Sequence, residues 1–115
     1  MSLSGSARRL MVIVDEDATF EHVPVYTAIL RRAHAVGLAG ASVFRGIEGF
    51  GQSGRIHTSR ILNLAESLPA MVLIIDTHDK IEGFLAELGT IGVRGIVALD
   101  DVEVVDPRST LDPPR

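Results

Sequence analysis

Two stretches of this chain have no polar side. Residues 10–14 read Leu-Met-Val-Ile-Val, and residues 70–76 are apolar throughout except for the closing Asp76. Each run is too short for a helix, and each is bounded by turn-like or acidic residues, so both read as strands. A strand that is apolar on both faces belongs in a sheet covered on both faces. The supply of covering elements is then what limits the fold.

Only two segments carry helical periodicity. After Pro24, which suits the start of a helix, Tyr26, Ile29, Leu30 and Ala33 recur along one side, with Arg31, Arg32 and His34 elsewhere. Gly37 is expected to end that helix and Leu38 to make the capping contact that follows it. The second helix is expected over residues 79–88, with Ile81, Phe84, Leu85 and Leu88 inward and Gly89 and Gly92 marking its end. Between these lie strand patterns at residues 8–15, 41–47, 70–76 and 95–99, the last extended by Val102, Val104 and Val105.

The order β-α-β-β-α-β predicts an α+β, ferredoxin-like split βαβ domain (βαββαβ), with two helices on one face of an antiparallel sheet. The domain is expected over residues 8–105, with residues 1–7 and 106–115 as flexible termini. Two helices cannot cover both faces. The second face is therefore expected to meet other copies of the chain, because a bare apolar patch of that size is unusual on a monomer.

Composition narrows the function. With 115 residues and 46% hydrophobic content the chain supports one core. A net charge of -4 argues against binding a phosphate backbone, so nucleic acid is not an expected partner. Cysteine is absent, which removes disulfides, thiol nucleophiles and cysteine-based metal sites and is compatible with a cytoplasmic location. The longest apolar run, residues 71–75, is far below the roughly 20 residues of a spanning helix.

Four glycines, Gly46, Gly49, Gly51 and Gly54, fall within nine residues from the end of the second strand onward. Such a cluster needs a backbone reason, either positive φ or the close approach of another group. Residues 49–54 match the G-x-G-x-x-G pattern, with Asp76 about 20 residues on. The strand before them carries Arg45 and Glu48, however, and no clear amphipathic helix follows, so a dinucleotide-binding fold is disfavoured. The four histidines, His22, His34, His57 and His78, lack metal-ligand spacing; His57, near Arg55 and the glycines, is the one singled out for a functional role. Residues 15–17, Asp-Glu-Asp, and the pair Asp100-Asp101 read as solvated strand ends. No nucleophile-and-base pairing compels catalysis.

With the split βαβ order come three specific segments: residues 37–41 (Gly-Leu-Ala-Gly-Ala), residues 45–51 (Arg-Gly-Ile-Glu-Gly-Phe-Gly), and His57-Thr58 with Leu68-Pro69. On these the chain resembles the PII-like signalling proteins, in particular the domain-of-unknown-function 190 branch, over about residues 8–105. The resemblance implies a homotrimer that binds small effectors, typically adenine nucleotides, in clefts between subunits. It also implies that the loop after the second strand reports binding to a partner protein, with membrane transporters or channels as the partner class. Carried over by position, Gly49, Phe50, Gly51, Gln52 and Ser53 match the base of that loop, and residues 89–95 match a second glycine-containing phosphate loop.

The chain departs from the PII pattern in three places. Arg94 followed by Gly95 stands where a lysine precedes the last strand, Asp106 and Pro107 stand where arginines follow it, and Tyr26, on the first helix, is the sole tyrosine. These departures weaken the case for triphosphates and exclude regulation by uridylylation of the loop. Arg45, Arg55 and Arg94 remain suited to a monophosphate or cyclic nucleotide through bidentate guanidinium contacts. The expected ligand-binding set is thus Arg45, Gly49, Phe50, Gly51, Gln52, Arg55, His57 and Arg94, with no catalytic or metal-binding residue and no fixed cofactor. The competing readings are a ligand-independent interaction subunit of a transporter or channel, and a small ferredoxin-like enzyme.

Overall fold

The computed structural model describes residues 3–51, 57–58 and 68–108. Within them the chain runs β1 (Gly5–Asp15), β2 (Thr19–Phe20), β3 (Val23–Pro24), α1 (Val25–Ala35), β4 (Ala41–Arg45), β5 (Glu48–Gly49), β6 (His57–Thr58), β7 (Pro69–Asp76), α2 (His78–Ile91) and β8 (Ile96–Val104). The main sheet has the order β4-β7-β1-β8, and every neighbouring pair is antiparallel. This is the ferredoxin-like arrangement expected from the pattern. β2 pairs with β3, and β5 with β6, as short separate ladders.

Several boundaries differ from the sequence pattern. β8 is one continuous strand to Val104, so it offers partners as far as Gly5, and β1 starts there rather than at Arg8. α2 runs through Gly89 to Ile91 and ends at Gly92. The reason is the cap: Gly92 has φ 76, its N–H reaches the Gly89 carbonyl at 3.1 Å, and the Val93 N–H reaches Leu88 at 3.2 Å, which places the left-handed residue at Gly92. α1 closes in the same way at Gly37 (φ 81), with the Leu38 N–H bonded to Ala33 at 3.0 Å. Its buried residues are Val25, Ala28, Ile29 and Ala33, while Leu30 is exposed, because the stripe sits one position away from the expected one.

Cross-strand partners share a face, so the register sorts the sheet. Leu10, Val12 and Val14 of β1 align with Ile74, Val72 and Ala70 of β7, and Ala41 and Val43 of β4 join the same face. These residues meet α1 and α2 in one core with Ile29, Ile81, Phe84, Leu88 and Ile91. The opposite face carries Met11 and Ile13, their partners Leu73 and Met71, and then Ile75, Phe44, Ala98 and Ile96. Among the described residues no helix lies over it: Met11, Ile13, Met71, Leu73 and Ile75 are half-buried, while Phe44 is 49% and Ile96 59% exposed.

Asp76, the one buried charged residue among those described, ends β7. Its carboxylate accepts from the Ala39 N–H and the Thr77 N–H, each at 2.7 Å, tying the turn after α1 to the start of α2. That structural task, in an antiparallel sheet, explains Asp76 without a bound dinucleotide.

Phe84 is the largest fully buried side chain among the described residues. Phe84→Ala should lower the unfolding free energy by about 3–5 kcal/mol, as read by urea denaturation. A loss below about 1 kcal/mol would contradict its central place in the core.

Candidate functional site

At one end of the sheet β1 finishes, β7 and β8 begin, and β4 hands over to the glycine segment. Backbone close approach explains part of the glycine cluster there. A Cβ on Gly46 would lie 2.5 Å from Pro69 Cγ and 3.0 Å from the Pro69 carbonyl oxygen, which accepts the Gly46 N–H at 2.7 Å. A Cβ on Gly49 would lie 3.3 Å from the same Pro69 Cγ. The glycines thus let the chain after β4 fold tightly over Pro69, which as the first residue of β7 is a position where the missing N–H costs little.

The second glycine segment closes on the other side. Gly95 has φ 149, and a Cβ there would stand 2.1 Å from the Ile13 carbonyl oxygen. Only glycine lets the chain between α2 and β8 pass so near β1.

These two approaches leave a cleft of about 460 Å³ lined by Asp15, Gly49, Phe50, Gly51, Arg94 and Gly95, with Ile13, Val14, Pro69 and Ile96 as its apolar wall. Of the residues expected to bind ligand, the structure gathers Gly49, Phe50, Gly51 and Arg94 here. Phe50 is 73% exposed at the mouth, and Arg94 makes no ion pair among the described residues. His57 is placed by its backbone, paired with Gly49. Gln52 and Arg55 lie outside the described residues. A larger cleft, about 570 Å³, lies between α1 and the start of β4, lined by Leu30, Arg31, His34 and residues 38–41. It contains no residue of either glycine segment, so the smaller cleft is the better candidate.

Arg45 does not line the cleft. Its Nε donates to Glu16 Oε2 at 2.5 Å, pinning the end of β4 to the turn after β1. The donated hydrogen bond holds the Glu16 carboxyl below its ordinary value, against a smaller opposing effect of desolvation. Asp15 is the exposed end of β1 that the sequence suggests, and it also forms part of the cleft wall, as do Ile13, Pro69 and Ile96. The signal that would have found them is register: antiparallel pairing sets Asp15 opposite Pro69 and Ile13 opposite Ile96. Among the described residues no group of three His, Asp or Glu side chains could hold a metal ion, and no helix is long and apolar enough to cross a membrane.

Two outcomes test this geometry. Gly95→Ala should destabilise the protein in thermal melts by at least about 1–3 kcal/mol, while Gly51→Ala, which meets nothing within 4 Å, should stay within about 0.5 kcal/mol. Equal effects would contradict the assigned close approach. Because the folded Glu16 pKa lies below its ordinary 4.5, its pair with Arg45 is complete at neutral pH and is lost as pH falls through that lowered value. An NMR carboxyl titration should place the midpoint below 4.5 and move it up in Arg45→Ala; a midpoint at or above 4.5 would contradict the pair.

Comparison with known proteins agrees with this fold. The chain is 42% identical over 96 residues to a UPF0166 protein of Aquifex aeolicus, covering 84% of this chain and 90% of that one. It is 28% identical over 99 residues to a UPF0166 protein of Methanocaldococcus jannaschii, covering 85% and 91%. Among solved structures it is similar to CPII from Thiomonas intermedia, a nitrogen regulatory PII-like protein. In complex with ADP and bicarbonate CPII matches with TM-score 0.59 at 18% identity, covering 90% of this chain and 92% of that one. Bound to ADP, AMP and bicarbonate it matches with TM-score 0.58 at 19% identity and the same coverage. The fold is therefore shared with a PII-like protein. Residues 7–104 match the DUF190 family model, described as Uncharacterized ACR, and the chain belongs to that family.

Proposed function

We propose that this chain is a non-enzymatic, PII-like regulatory protein of the cytoplasm. In this reading copies associate as a homotrimer through their open apolar faces, and a small anionic effector, an adenine nucleotide, binds in the clefts at subunit boundaries. The glycine-rich loop then docks on a partner protein, with a membrane transporter or channel as the partner class.

The observation that carries the reading is the cleft in which the base of the glycine loop meets Arg94 and Gly95. Unblocked backbone with a guanidinium beside it is an arrangement suited to phosphate. An apolar wall that includes Phe50 suits a flat base. CPII, which shares the fold, binds ADP and AMP, and this supports the same ligand class here. A ligand that orders the loop changes the loop population that a partner meets, which is how binding becomes a signal.

A second reading, a ligand-independent docking subunit, is favoured by one observation: Ile47 is 74% and Phe50 73% exposed at the base of the loop. Isothermal titration against a panel of adenine nucleotides separates the two. The effector reading expects saturable heat with at least one nucleotide, weakened about tenfold or more in Arg94→Ala, the size of one charge-assisted contact. Heat from no nucleotide would overturn it in favour of constitutive docking.

A further inference from the structure

The cleft holds two unpaired charges of opposite sign. Arg94 and Asp15 both line it, they form no ion pair with each other, and neither side chain finds another partner among the described residues. Among the described residues the other arginine near this end of the sheet, Arg45, is committed to Glu16. The described wall of the cleft therefore carries no net positive charge, although its backbone and its apolar face suit a nucleotide.

We infer that Asp15 is a specificity-determining residue that limits the cleft to nucleotides bearing a single phosphate. The inference rests on the effector reading above and extends it. The base lies against Ile13, Phe50, Pro69 and Ile96, and the first phosphate takes Arg94 and the adjoining backbone. A second or third phosphate adds negative charge to a cleft whose other charged side chain, among the described residues of this chain, is a carboxylate, and like charges at short range oppose binding. Asp15 stands opposite Pro69 at the end of β1, so sheet register fixes its backbone at the cleft wall. Discrimination then comes from a built-in repulsive element as much as from a favourable contact.

Asp15→Asn keeps the shape of the side chain and removes its charge. Isothermal titration of the full chain and of Asp15→Asn with AMP, ADP and ATP reads the effect directly, with a thermal melt confirming that the variant is folded. The native chain should bind AMP at least about tenfold more tightly than ATP, and Asp15→Asn should narrow that gap by about tenfold, mainly by tightening ATP. Asp15→Ser, shorter and neutral, should narrow it likewise. Equal affinities for AMP and ATP in the native chain would overturn the filter while leaving the effector reading intact. A uniform weakening of all three nucleotides in Asp15→Asn would also overturn it, since it would mark Asp15 as a hydrogen-bond acceptor for the nucleoside. Absence of binding by any nucleotide would overturn both inferences together.

Discussion

A sheet that the described residues cover on only one of its two apolar faces is the constraint from which the rest of this molecule follows. α1 and α2 lie over Leu10, Val12, Val14, Val72 and Ile74 and close one core. Met11, Ile13, Met71, Leu73 and Ile75 face the other way, with no helix over them among the described residues. Burying such a face gains roughly 25 cal/mol per Å² of apolar surface, and a second copy of the same chain presents a matching one. Self-association is the simplest closure, and the candidate cleft lies at the rim of that face, where Ile13 and Ile96 belong to both.

The cleft itself is a product of glycine. Without a side chain at Gly46 the backbone lies on Pro69, and without one at Gly95 it passes the Ile13 carbonyl. Both contacts pull loops toward the end of the sheet and bring Phe50 and Arg94 to one opening. The Arg45–Glu16 pair fixes the stem of the glycine segment from the helix-covered side, which makes Arg45 a positioning residue rather than part of the cleft wall. Polar chemistry is thus confined to a few groups on a framework set by backbone contacts.

Much of this architecture is legible in the residues themselves. The apolar runs at residues 10–14 and 70–76, the punctuation at Gly37 and the two helical stripes give the element order and hence the fold. The site is legible only in part. Gly49, Phe50, Gly51 and Arg94 are marked by the glycines around them, whereas Asp15, Pro69 and Ile96 enter through antiparallel register, a long-range pairing that no local pattern encodes. The same limit applies to Arg45: its type suits phosphate, but its place across from Glu16 depends on how the turn after β1 meets the end of β4. Asp76, which the glycine spacing links to a nucleotide motif, turns out to hold the Ala39 turn, because the tertiary fold gives its carboxylate two backbone donors.

The most direct test of the account is the mass of the protein in solution by multi-angle light scattering at physiological salt. The proposed homotrimer, with each apolar face closed by the other copies, predicts a single species near three times the 12.3 kDa of one chain, unchanged on dilution through the micromolar range. A stable monomer would show that water covers the face after all, and the subunit-boundary clefts would lose their basis.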